Sequence, residues 1–240
     1  MRVKAVIAYD GSAFYGFQKQ SHTTQTVATA IELALENLKI QSKITGSGRT
    51  DRGVHASNQV IHFDLPSFWS DLQKLKTELN RNLKAVKIKN IAKVDDKFHA
   101  RYDAKTRLYR YYFSTTKTSV FMRNYLAYFD PFDSEKLTKA LFLFKGKHDF
   151  NNFSKNGSEP NSTIRSIYAS NHKYHHGVHC ITFEADGFLR SQVRMMVSAA
   201  MKCAQGKLEL WQLEEQLDNK HLHSVTLAPP EGLYLSHIFY

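Results

Sequence analysis

A layered fold of the mixed α/β or α+β kind is what this sequence predicts, and three observations lead there. Short apolar runs with strand-like alternation recur along the chain, and longer windows between them carry apolar side chains at helical spacing. Of the 240 residues, 42% are hydrophobic and 12% aromatic, which is ample for a packed core and argues against disorder.

Val3, Ala5 and Ile7, continued through Val6 and Ala8 to Tyr9, predict a buried first strand that ends at the turn Tyr9-Asp10-Gly11-Ser12. Val27, Ile31, Ala34 and Leu38 then follow helical spacing, with Thr23 or Thr24 as the expected N-cap. Ile61, Phe63 and Leu65 alternate with His62 and Asp64, giving a half-buried strand over 59–65. Pro66-Ser67 is expected to open a helix with Phe68, Leu72, Leu75 and Leu79 on one face, and Val86, Ile88 and Ile91 to Val94 a further strand. Lys105 to Phe113 interleaves Lys105, Arg107 and Arg110 with Tyr109, Tyr111, Tyr112 and Phe113. That pattern suits phosphate contact on one side and stacking or core packing on the other, and packing is preferred for Tyr111 and Tyr112.

In the second half, Asp133 or Ser134 caps a helix using Leu137, Ala140, Leu141 and Phe144. The small polar run 154–163 reads as a mobile loop, Lys173 to Gly177 as a hairpin tip, and 188–204 as a helix stopped by Gly206. In that helix Arg190 and Arg194 stand four apart on one face, a repulsive spacing that makes sense if the face meets an anion. Leu210, Leu213 and Leu217 mark a last helix. The expected organisation is two halves, 1–104 and 105–240, each with strand, helix and further strands, and no internal repeat.

A net charge of +11 points to a polyanionic partner, nucleic acid or an acidic membrane. No apolar run approaches the ~20 residues that span a bilayer, and a cytoplasmic location is the simplest expectation. Cys180 and Cys203 form no CxxC, which argues against a disulfide framework or zinc ribbon. His172, His175, His176 and His179 lack a metal-ligand spacing, so no metal site is assigned to them.

The most informative stretch is Gly46-Ser47-Gly48-Arg49-Thr50-Asp51-Arg52-Gly53-Val54-His55-Ala56. Its glycines allow sharp turning and close approach to a ligand, and they surround one carboxylate, Asp51, fixed to the strand that follows. Taken alone, Asp51 is either a reactive acid on a rigid frame or the neutraliser of Arg49 and Arg52.

The order Gly48-Arg49-Thr50-Asp51-x-Gly53-Val54-His55-Ala56 resembles the signature loop of the TruA family of tRNA pseudouridine synthases, with Arg52 where that family commonly has a small residue. Further blocks resemble the family in order: Tyr9-Asp10-Gly11 with Phe14-x-Gly16-x-Gln18, Phe98-His99-Ala100-Arg101, Arg107-x-Tyr109-x-Tyr111, His148-Asp149-Phe150-x-x-Phe153, Thr163-x-Arg165-x-Ile167, Phe188-Leu189 with Val193-Arg194, and Ala228-Pro229-x-x-Gly232-Leu233-Tyr234-Leu235. The resemblance implies an α+β pseudouridine synthase fold: two related halves join mostly antiparallel sheets flanked by helices, and a cleft between them carries the site. It implies Asp51 as the catalytic residue, Arg194 as its ion-pair partner, Tyr109 lining the uracil pocket, and Leu235 against the target base or in the core. Arg49 is expected to fill the place of the flipped base or grip its phosphate. It further implies a homodimer acting on the anticodon stem-loop of tRNA (positions 38–40), with no cofactor and no metal. The alternatives are a non-catalytic structured-RNA-binding protein and an RNA hydrolase using Asp51 as base. The second lacks a partner histidine or metal cluster in recognisable spacing.

Overall fold

The computed structural model describes residues 1–155, 157 and 161–240; much of the loop expected over 154–163 lies outside the described residues. Two compact units emerge, one of residues 1–105 with 234–240, the other of 106–233. Both carry helices and mostly antiparallel strands, the α+β arrangement expected.

The first unit is built on β1 (Arg2–Tyr9), β3 (His55–Asp64), β4 (Val86–Lys93) and β10 (Leu233–Phe239), in the order β4-β1-β3-β10, with the short β2 (Thr45–Gly46) on β3. β1 alternates half-exposed and buried residues, as its sequence pattern demands. Helices α1 (Val27–Asn37) and α2 (Leu72–Asn82) bury Val27, Ile31, Ala34, Leu35, Leu75 and Leu79. Each of these apart from Ala34 contributes roughly 1.5–3 kcal/mol of burial.

Both helices start later than their apolar spacing suggests. Thr26, not Thr23 or Thr24, caps α1 by accepting from the Thr29 amide at 3.2 Å. Asp71 caps α2, its Oδ1 accepting from the Gln73 and Lys74 amides, each at 2.9 Å. Pro66–Ser70 therefore stays outside the helix and Phe68 is exposed. In both cases a side-chain acceptor for orphan amides fixed the boundary, and periodicity did not.

β10 was expected with the second half. It returns to the first unit because Tyr234 and Leu235 pair in parallel with His55 and Ala56 of β3, and Asn58 Nδ2 donates to the Ser236 carbonyl at 2.7 Å.

The second unit orders β5 (Thr106–Ser114), β9 (Val178–Ala185), β8 (Ile164–His175) and β7 (Gly146–Asp149) as β5-β9-β8-β7, with β6 (Ala127–Tyr128) on β5. Helices α3 (Ser134–Leu143), α4 (Gln192–Ala204) and α5 (Leu210–Leu217) pack with it. Here too one helix is shorter than expected: Ser191 adopts a left-handed φ of 59°. Leu189 donates its amide to Gln192 Oε1 at 2.7 Å, so 188–191 is a turn stapled by a buried glutamine. Arg190 consequently precedes the helix and does not share a helix face with Arg194, contrary to the expectation from their spacing.

The hairpin tip falls at His176-Gly177, both with positive φ, as a tight two-residue turn requires. Below it His172 and His179 share a hydrogen bond of 3.0 Å and stack beside Phe113 and Phe132. Burial pushes the pKa of both imidazoles below the ordinary value, and for His172 the proximity of His179 adds to it. The folded protein then binds fewer protons than the unfolded chain once pH falls below about 6.5. Thermal stability is expected to be full above about pH 7 and to decline as pH drops from there towards about 5. Calorimetry across that range should show a flatter decline for a His172→Asn, His179→Asn double variant. An unchanged slope would remove the pair as its source.

Candidate active site

Asp51 sits on a loop whose backbone is held from several directions within the first unit. The loop enters through β2, where Thr45 and Gly46 pair with His62 and Ile61 of β3. Upstream, the buried Glu32 of α1 accepts from the Ile44 amide at 3.0 Å and pairs with Lys19. The fully buried Gln59 hydrogen-bonds the Ser47 hydroxyl and donates to the Gly48 carbonyl at 3.0 Å. Thr50 is buried next, its hydroxyl 2.8 Å from that of Tyr9 and its carbonyl accepting from the Phe17 amide at 3.1 Å. A buried hydrogen bond contributes about 1 kcal/mol, and stranding one partner costs roughly 1–3.

After Asp51 the chain reverses, with Val54 donating its amide to the Asp51 carbonyl at 3.2 Å and Gly53 at φ 79°. His55 closes the loop. Its Nδ1 accepts from the Gly11 amide at 3.0 Å, which leaves the proton of a neutral ring on Nε2. Its ring stacks on Tyr234 of β10, centroids 4.6 Å apart at 17°. Gly11 must be glycine, because a Cβ there would lie 2.1 Å from the Val54 carbonyl oxygen. Thus the Tyr9-to-Phe17 segment and the Asp51 loop are interlocked backbone to backbone. Arg49 is exposed, Asp51 half-buried and Leu235 has no exposed surface.

In the second unit Tyr109 lies on β5 opposite Phe183 of β9, nearly buried, with Phe188 edge-on to its ring at 5.1 Å. Tyr111, two residues on, is wholly buried and donates its hydroxyl to the Pro229 carbonyl at 2.9 Å; burial raises its pKa well above the ordinary phenol value. It is a core residue, as its position on the strand suggests.

Arg194 stands in the first turn of α4, among residues that are otherwise buried. A cation there opposes the helix dipole, so the position is not one that helix stability selects. The Ala228 carbonyl accepts from its Nε at 2.8 Å, and the Ala228 amide donates back to the Arg194 carbonyl at 3.1 Å. The backbone at Ala228 and the first turn of α4 are thereby joined by two hydrogen bonds.

Residues 5–103 and 140–240 match the family model described as tRNA pseudouridine synthase. The chain belongs to the tRNA pseudouridine synthase family. Among its relatives, tRNA pseudouridine synthase A of Campylobacter jejuni (strain RM1221) is 38% identical over 241 residues, covering 100% of both chains. The protein of that name from Helicobacter hepaticus is 38% identical over 244 residues, 99% of this chain and 98% of its own. That of Lactococcus lactis subsp. cremoris is 37% identical over 253 residues, 100% and 97%. The pseudouridine synthase fold expected from the motifs is therefore the fold of this chain's family.

The sequence reading of this synthase-family chain did not single out the residues that hold the Asp51 loop: Tyr9, Thr50, His55 and Gln59. Gln59 carried a signal, a polar residue opening an apolar strand. Its burial without a hydrogen bond would be costly, which points to a local partner. Among the described residues no helix is long and apolar enough to cross a membrane.

Proposed function

We propose that this chain isomerises uridine to pseudouridine in the anticodon stem-loop of tRNA, with Asp51 as the catalytic residue and with neither cofactor nor metal. One observation carries the reading: a complete Gly48–Ala56 signature loop, clamped through Thr50 and His55, in a chain of the tRNA pseudouridine synthase family. Family membership also favours catalysis over an RNA-binding protein without activity.

The reaction breaks the C1′–N1 bond, turns the uracil and forms C1′–C5; a proton leaves C5 and one is gained at N1. No atom is added and no electron is exchanged with a cofactor. The base must first leave its stack, at a cost of a few kcal/mol. Attack on the ribose, attack at C6 and deprotonation of the sugar each ask for one carboxylate at the same place. In this reading Arg194 is the ion-pair partner of that carboxylate. Arg49, exposed beside Asp51, fills the place of the flipped base or grips its phosphate. The absence of exposed surface on Leu235 favours packing over direct base contact. The active species is a cytoplasmic homodimer, as the resemblance implies.

Incubating the protein with unmodified tRNA transcripts and mapping pseudouridine by chemical adducts tests the proposal. Modification in the anticodon stem-loop supports it, and binding without modification overturns it. Tyr109, placed under the uracil in this reading, should separate rate from affinity. Tyr109→Leu keeps an apolar side chain on β5 while removing the aromatic face, and is expected to lower kcat by about 10²-fold with RNA affinity changed only a few-fold. Equal losses in both would remove the pocket role.

A further inference from the structure

Arg52 and Tyr15 form a charged platform on the exposed edge of the Asp51 loop. The Arg52 guanidinium carbon lies 4.3 Å from the centroid of the Tyr15 ring. Both residues are exposed, and among the described residues Arg52 makes no hydrogen bond or ion pair. An arginine with no carboxylate partner among the described residues, one residue from the proposed catalytic acid, keeps its N–H groups for a ligand.

The backbone beneath the platform is held by several contacts. Tyr15 donates its amide to the Gln25 carbonyl at 2.9 Å and accepts from Gln20 Nε2 at 2.7 Å. Gly16, at φ 115°, lies so close to the loop that a Cβ would meet the Thr50 carbonyl oxygen at 2.9 Å and the Arg52 amide nitrogen at 3.5 Å. Phe17 donates to the Thr50 carbonyl at 3.1 Å. The backbone that carries Tyr15 is therefore tied to the loop bearing Arg52. At 4.3 Å the guanidinium carbon is within cation–π range of the ring, and because Arg52 is exposed its N–H donors stay accessible to phosphate oxygens, which an arginine can grip in pairs.

We infer that Arg52, supported by the Tyr15 ring, binds one backbone phosphate of the RNA beside the nucleotide that Asp51 acts on. This inference rests on the proposed function for its RNA. It assigns an additional anchor that fixes the strand next to the reacting residue.

The test is the salt dependence of binding, measured with an anticodon stem-loop transcript and an Asp51→Asn background to prevent turnover. Adding Arg52→Ala is expected to weaken binding about tenfold at low salt and to reduce the slope of log K against log[salt] by about 0.7–0.9, one phosphate's share. Arg52→Lys should restore the slope, because it keeps the charge. Tyr15→Leu should leave the slope and weaken binding a few-fold, through loss of the platform. Weaker Arg52→Ala binding with an unchanged slope would mean base stacking and overturn the phosphate assignment; unchanged affinity and slope would overturn the site. Circular dichroism confirms that each variant is folded. Isomerisation by the unsubstituted chain is assayed in parallel. Turnover there with no Arg52 effect sinks only this inference, and an Arg52 effect with no turnover sinks only the proposed function.

Discussion

Asp51→Asn should bind tRNA within about twofold of the unsubstituted protein and form pseudouridine at least roughly 10⁴-fold more slowly. The amide has the shape of the acid but neither its charge nor its basicity. The backbone contacts on either side of it remain available, because Thr50 is held by Tyr9 and Phe17 and the Asp51 carbonyl by the Val54 amide. Single-turnover rates with excess protein, alongside filter binding, would separate the two quantities. A pure Asp51→Ala protein retaining more than about a hundredth of the unsubstituted rate would end the catalytic assignment.

Gly11→Ala is expected to be nearly as damaging although the residue touches no reacting atom. The added methyl would meet the Val54 oxygen at 2.1 Å and the Val54 and Gly53 carbonyl carbons at 2.3 and 2.9 Å. All three are backbone, so no side chain can swing away. The segments must part by about 1 Å or more, and the amide of residue 11 would leave His55 Nδ1. Misplacement of that size costs roughly 10²-fold in rate. Stopped assays should show kcat falling by that order with a much smaller change in KM for tRNA, in a protein whose circular dichroism is unaltered. A Gly11→Ala protein with normal kcat would show that the interlock does not position the acid.

The local elements of this fold were legible and their joints were not. Apolar spacing located α1, α2 and α4, but Thr26, Asp71 and the Ser191 turn set where they begin. Each of those depends on a few hydrogen bonds that leave no periodic trace. The Gly48–Ala56 loop could be read as an ordered string of residues. Its support could not, because His55 reaches Gly11 and Tyr234, and Gln59 folds back on Gly48, through contacts that only the folded chain brings together. The parallel pairing of β10 with β3 was equally hidden, since it joins stretches about 180 residues apart, as in the Ser57–Ser236 hydrogen bond with a separation of 179.

That return of β10 has a consequence for biosynthesis. A ribosome delivers residues 1–105 early, yet the sheet edge against which His55 and Ala56 settle arrives only with residues 233–239. The segment bearing the acid is thus left half-supported while the whole of the second unit is being translated. Nascent chains gain this brace for the Asp51 loop only once residues 233–239 have been made, so a product stalled or released before them lacks the strand.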